Sequence, residues 1–263
     1  HQWYCGMQDA GGVLQKGPWV GNRFHWYCLF DNEDYRITKG VKHRFQYDSQ
    51  VKNGRGYYYP GTPEYKLMAT GKNMDDVKVQ EPVAPFNDGL TYTNSISSNC
   101  LAFTTKYADV TDPTIGRTDA YWPFLRYADI VLIYAEAQCE LNDGISQDAI
   151  DALNDIRIRS NAKEASVTGD GAIETKVELR SVIFEERAKE LAYEGDRRWD
   201  LLRWGIYLDV MNSLGGINED GTRTPYDEGS INKRREFRHL LYPLPSLEVS
   251  TNMAIDKNNP GWN

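Results

Sequence analysis

The chain has 263 residues, 40% hydrophobic, 26% charged and 12% aromatic, with a formal net charge of −8. This is an ordinary globular balance, sufficient for one large domain or two small ones. No Lys/Arg-rich run points to a basic patch for nucleic acid or for an anionic membrane, and no apolar run approaches the roughly 20 residues of a membrane span.

Residues 1–122 are rich in Gly, Pro, Asn, Asp and Tyr. Turn signals such as NGRG at 53–56 and YPGTPEY at 59–65 punctuate short segments. Short strands are expected around Arg44–Tyr47 and Tyr57–Tyr59, within a loop-rich, aromatic-rich region. The pattern changes at Pro123. In LRYADIVLIYAEAQCELND, Ile130, Ile133, Tyr134, Ala137 and Leu141 fall on one face of an amphipathic helix, which Asn142-Asp143-Gly144 stops. Ser146 is placed to cap a second helix running through Arg159, with Ala149, Ile150, Leu153 and Ile156 inward. The short connection predicts a helical hairpin. A third helix is expected over about 174–195 and a fourth from Arg197 to about Leu214, with residues 215–263 as a carboxy-terminal loop region. Two successive helix pairs over 123–214 have the size of tetratricopeptide units, without that repeat's own signature.

The third helix carries the most informative stretch, FEERAKELAYEGDRRWDLLRWG from Phe184 to Gly205. Positions 179, 182, 183, 186, 187, 190, 191 and 194 share one helical face that begins apolar and turns ionic. Charges that continue a core stripe are expected to be paired inside the protein. Arg197–Asp200 and Asp200–Arg203 are further pairs at helical spacing, and Glu136 is placed to meet Arg157 of the next helix. Glu190 and Glu194 are the carboxylates that a glycoside hydrolase reading would use, but that chemistry needs them to flank an open cleft.

The cysteines at 5, 28, 100 and 139 form no C-x-x-C pair. Cys139 reads as a buried thiol, and Cys5 with Cys28 as a possible disulfide in an exported protein. His1, His25, His43 and His239 show no zinc-ligand spacing, so no metal site is expected. Asp31-Asn32-Glu33-Asp34 has calcium-compatible residues but no EF-hand pattern. No phosphate-binding loop or G-x-S-x-G elbow occurs, and no cofactor is expected.

Three stretches together carry a resemblance: RYADIVLIYAEAQCELN with ALNDIRIRS, EERAKELAYEGDRRWDLLRWG, and LYPLPSLEVSTNMAIDKNNPGW. In this order they resemble the carboxy-terminal half of the SusD/RagB family of surface glycan- and nutrient-binding lipoproteins. The likeness is strongest over about 105–263, and Asp34-Tyr35-Arg36 fits a D-x-R element of the family. Lys257-Asn258 and Trp262 depart from the usual Gln and Tyr. The resemblance implies a mainly α, SusD-like fold of tetratricopeptide-like helix pairs with extensive loops and a few short strands. It further implies capture without catalysis: an oligosaccharide, or in some members a peptide, is bound at the outer membrane and handed to a SusC-type TonB-dependent transporter. The chain starts at His1, and the lipid-bearing cysteine and amino-terminal half of the family fold are expected outside it.

Flat rings stack on sugar C–H faces while polar neighbours meet the hydroxyls. Trp19 and Trp26, then Trp3 and Tyr27, are the expected ligand-binding residues, interleaved with Asn22, Arg23, Asp31, Asn32 and Asn53. Trp199 and Trp204 are expected in the core.

Overall fold

The computed structural model describes residues 123–212 and 235–262 in full, most of 26–47, Lys106, and short strands between Met7 and Thr104. The expectations for Trp3, Trp19 and Tyr27, for Asn22, Arg23, Asn32 and Asn53, for Cys5, Cys28 and Cys100, and for His1, His25 and His43 lie outside the described residues. The described residues fall into two compact units, one ending at Gly195 and the other starting its main run at Asp196.

The fold is mainly helical with a few short strands. In the first unit, β1 (Met7–Gln8), β2 (Val13–Lys16), β4 (Arg44–Tyr47), β5 (Arg55–Tyr58) and β6 (Thr91–Asn94) form a mixed sheet in the order β1-β2-β4-β5-β6. The pairings alternate: β1/β2 and β4/β5 are antiparallel, β2/β4 and β5/β6 parallel. A separate antiparallel pair joins β3 (Val41–Lys42) to β7 (Phe103–Thr104). β4 lies where its sequence predicts, and β5 begins two residues before Tyr57.

Helix α1 (Tyr35–Thr38) is one turn, capped by Asp34, whose side chain accepts from Arg36 N at 2.8 Å. Three longer helices follow: α2 (Tyr127–Leu141), α3 (Gln147–Arg159) and α4 (Lys176–Glu190). Ser146 caps α3, accepting from Ala149 N at 3.3 Å. Thr175 and Glu178 close a capping box on α4, which satisfies backbone donors that a helix start otherwise leaves bare. The core joins all three helices through Leu132, Ala135 and Cys139 of α2, Leu153 and Ile156 of α3, and Leu179 and Ile183 of α4.

The inward face of α2 is not the one expected. Ile130, Ile133, Tyr134, Ala137 and Leu141 are exposed, whereas Ala128, Val131, Leu132, Ala135 and Cys139 are buried. Both sets have identical spacing, two residues apart in register. Three of the five buried residues are Ala or Cys, which lets α3 and α4 approach closely, so ranking the faces by side-chain size selects the wrong one. α4 ends at Glu190, earlier than expected, because Tyr193 takes a left-handed φ of 67° and Gly195 one of 103°.

In the second unit the expected fourth helix is two: α5 (Arg197–Arg203) and α6 (Tyr207–Asn212), broken at Gly205 with φ 74°. The expected carboxy-terminal loop contains a 3-10 turn (Phe237–Leu240) and α7 (Ser246–Thr251), which starts directly after Pro245. Asn212 ties α6 to Arg235 with a reciprocal pair, Nδ2 to the carbonyl at 2.9 Å and Oδ1 from the amide at 2.7 Å. A Cβ at Gly261 would come within 2.6 Å of Arg238 Cβ, so the NPGW turn requires glycine there.

The two faces of α2 separate in a stability measurement. Leu132→Ala is expected to cost about 2–5 kcal/mol, and Ile133→Ala under about 1 kcal/mol; chemical denaturation that reverses this order would place the core on the other face.

Candidate functional site

Glu186 and Glu190 recur one helical turn apart on the buried face of α4, and Glu194 follows four residues later, just beyond the helix end. With Asp34 they make a cluster of four buried carboxylates, the three glutamates met by cations from other elements and Asp34 by Arg36 of the helix it caps. Arg36 spans Asp34 at 2.7 Å, Glu186 at 2.6 Å and Glu190 at 3.2 Å. Arg157 of α3 reaches the other oxygen of Glu186 at 2.8 Å, and Arg159 reaches Glu190 at 2.7 Å. Arg126, the residue that caps α2, holds Glu190 at 3.0 Å and Glu194 at 2.6 Å, and Lys106 also pairs with Glu194. Lys106 further donates to the carbonyls of Glu190 at 2.7 Å and Ala192 at 2.9 Å. Cations at the carboxyl end of a helix oppose its dipole and occupy carbonyls with no intrahelical partner. Beside this network Arg187 bonds Asp129 of α2 at 2.8 Å.

The electrostatics follow from this crowding. Burial alone would raise the Glu190 carboxyl, but the Arg159 hydrogen bond and the charges of Arg159, Arg36 and Arg126 outweigh it and hold Glu190 below the usual carboxylate range. Burial pulls the Lys106 ammonium below the ordinary lysine value despite Glu194. Arg36, although desolvated, is held more firmly protonated by Asp34 and Glu186.

A cavity of about 360 Å³ opens over this network. Trp26, Tyr35 and Tyr193 supply rings to its wall, and Lys106, Arg159 and Glu190 supply polar groups. Trp26 is fixed by its indole N–H, which donates to Ala188 O at 2.8 Å, and by edge contacts with Phe30 at 4.7 Å and Tyr193 at 5.7 Å. The left-handed backbone at Tyr193, uncommon without glycine, turns the chain at the end of α4 and brings that ring to Trp26. Burial pushes the Tyr193 phenol well up, so it stays protonated. Gly40 lines the cavity where a Cβ would lie 2.4 Å from Arg36 O, a close approach open only to glycine.

Of the expected ligand-binding residues, Trp26 lines this cavity. Tyr35, Tyr193 and Arg159 also line it and were not among those expectations. Tyr35 sits inside the D-x-R element, and Tyr193 precedes Glu194-Gly195 in the long motif, so both were signalled only as parts of motifs. The expected Glu136–Arg157 contact gives way to the Arg157–Glu186 bond. Asp31 accepts from Lys163 N at 3.0 Å and Asp34 from Arg36, so these carboxylates of the calcium-compatible run serve protein donors. The Arg203–Asp200 pair forms at 2.9 Å. Trp199 and Trp204 correct a core expectation: Trp199 is 57% exposed and Trp204 half-buried, because α5 turns its Asp200–Leu201 side inward.

Known proteins supply the context for this geometry. The SusD family model matches residues 21–262. SusD-like protein P2 of Formosa agariphila is 33% identical over 142 residues, which cover 52% of this chain and 25% of the relative. A solved SusD superfamily protein of Parabacteroides distasonis has TM-score 0.57 and 18% identity, covering 99% of this chain and 46% of its own. Surface glycan-binding protein A of Bacteroides thetaiotaomicron has TM-score 0.50 and 18% identity, covering 98% and 46%. The chain spans about a quarter of the length of the curated relative and under half of the solved ones.

Arg187→Ala strands Asp129 and should cost about 3–5 kcal/mol, read by chemical denaturation. Glu190 has a folded pKa below its unfolded value of about 4.3, so its stabilisation is complete above that pH and is lost as pH falls through the folded value. Denaturation from neutral pH into the acid range should therefore give Glu190→Gln a lower stability at neutral pH and a shallower acid decline. A decline as steep as that of the unsubstituted protein would contradict this sign.

Proposed function

This chain belongs to the SusD family, and we propose that it captures an oligosaccharide at the cell surface for a SusC-type TonB-dependent transporter, without cleaving it. The observation that carries this reading is the cavity in which Trp26, Tyr35 and Tyr193 stand beside Arg159 and Lys106. Rings cover sugar C–H faces and the open part of Arg159 meets hydroxyls, while Lys106, its three N–H donors committed to Glu194, Glu190 O and Ala192 O, fixes the cavity wall. Tyr35 is partly exposed and its ring is already held by Lys39 Nζ at 3.4 Å, so little ordering is needed on binding. Arg159 spends one contact on Glu190 while about half its side chain remains open. The solved relative named a surface glycan-binding protein shares this fold, which agrees with the reading.

Capture is favoured over hydrolysis by the state of the carboxylates. A general acid needs a raised pKa and an open approach to the glycosidic oxygen. Glu190 is held low among three arginines, and Glu194 is occupied by Arg126 and Lys106. In the whole protein, we place the amino-terminal half of the family fold and the lipid anchor to the outer membrane in polypeptide outside these residues. The aromatic-rich region 1–122, with Trp3, Trp19 and Tyr27, is proposed to extend the binding surface around Trp26.

Calorimetric titration against a panel of oligosaccharides, with the recovered ligand weighed by mass spectrometry, tests this. The expected result is saturable binding of one glycan class, returned intact, with Tyr35→Ala weakening it roughly tenfold, about 1.4 kcal/mol. Ligand returned cleaved would overturn the reading, as would displacement of the sugar by peptides that bind the same site more tightly.

A further inference from the structure

Arg159 differs from the other cations of the buried network in how its charge is met. Glu190, its carboxylate at 2.7 Å, is shared with Arg36 and Arg126. Arg36 also holds Asp34 and Glu186, and Arg126 also holds Glu194. Arg159 has no second carboxylate among the described residues. With Arg157 on Glu186, Lys106 on Glu194 and Lys189 on Glu185, six cations meet five carboxylates among the described residues, one positive charge in excess. Glu190 reports the same imbalance: burial alone would raise its carboxyl, yet the arginines around it hold it below the usual range.

The excess stands on the cavity wall. Arg159 ends α3 with 54% of its side chain exposed, and its guanidinium keeps N–H donors beyond the one on Glu190. The wall around it is fixed by backbone bonds. Tyr35 N donates to Ser160 O at 2.8 Å, and Asn161 Nδ2 donates to Glu33 O at 3.1 Å. These bonds tie the segment that carries Tyr35 to the end of α3, so ring and guanidinium line one cavity together. The other cations of the wall are committed: Lys106 to three acceptors, Arg36 to three carboxylates, and buried Lys189 to Glu185.

A ligand that fills the cavity takes water away from Arg159. A neutral hydroxyl accepts its N–H but brings no charge, and the desolvated guanidinium is then offset only by its share of Glu190. A carboxylate or a sulfate ester supplies the missing charge and meets the planar fork with two parallel bonds. A bare inorganic anion would leave the faces of Trp26, Tyr35 and Tyr193 uncovered. We propose that the cavity takes an acidic oligosaccharide, Arg159 pairing with a uronic acid carboxylate or a sulfate ester while the rings cover the pyranose faces. That the remainder of the ligand is a sugar rests on the capture reading above.

Calorimetric titration of the full chain tests this with oligogalacturonides and their neutral methyl esters, and with carrageenan oligosaccharides and their desulfated counterparts. One acidic ligand should bind at least about tenfold tighter than its neutral counterpart, and the gap should narrow as salt is raised. The series that gives the gap, carboxylate or sulfate, names the group that Arg159 holds. Arg159→Gln keeps a hydrogen-bonding amide and leaves Glu190 with Arg36 and Arg126. It should bring the acidic and neutral affinities within about twofold of each other. Arg159→Lys, with the charge but not the fork, should retain part of the gap. Tyr35→Ala should weaken both members of a pair together and keep the gap. Acidic and neutral ligands bound equally well by the unsubstituted protein would overturn the inference and leave the capture reading standing. A gap that survives Arg159→Gln would put the acidic group elsewhere and overturn it too. Displacement of the sugar by acidic peptides, or no sugar bound at all, would overturn both readings.

Discussion

The first unit is organised around one constraint: the helix that completes its core also carries Glu186, Glu190 and, just past its end, Glu194 into the interior. A buried carboxylate without partners costs several kcal/mol, so cations must converge on it from wherever the chain can supply them. They come from sequence positions 36, 106, 126, 157 and 159, drawn from α1, the segment before α2, the α2 cap and α3. Pairing over such sequence separations brings the amino-terminal part of the chain to the helical core more specifically than apolar contact would. Each bond is directional, and each missing partner leaves a charge stranded.

The cavity is a by-product of that solution. Arg159 and Lys106 must reach the carboxyl end of α4 from opposite parts of the sequence, and Tyr193 must turn the chain sharply there. Trp26 then packs on the turn, with its N–H committed to Ala188 O. What remains open is bounded by side chains already fixed by their structural partners. That explains how rings and charges come to stand together in a cleft lined by residues that also hold the fold together.

The ionic stripe was legible from spacing alone, because a helix that changes from Leu179, Val182 and Ile183 to Glu186, Arg187 and Glu190 on one face has few other ways to fold. The caps at Ser146 and Thr175 obey local rules, and the helix from Gln147 to Arg159 lies where its periodicity puts it. Two things were hidden. The face of α2 could not be chosen because two registers had the same spacing, and close packing favoured the one with smaller residues. The break at Gly205 and the turn at Tyr193 depend on single backbone angles that periodicity does not carry. The site was legible only in part: Trp26 stood out as an aromatic in a polar loop, while Tyr35 and Arg159 join it through contacts more than a hundred residues apart in sequence.

Trp199 shows why motif membership and burial are separate matters. It lies in the same motif as Glu186 and Glu190, yet α5 is a seven-residue helix with Asp200 and Leu201 turned inward. A helix that short has one buried side, and a side chain as large as tryptophan next to it is left on the rim. The neighbouring Arg198 is half-buried, bonded to Tyr207 and His239. Sequence context thus fixes the pair Arg198–Trp199 as one anchored residue and one presented residue.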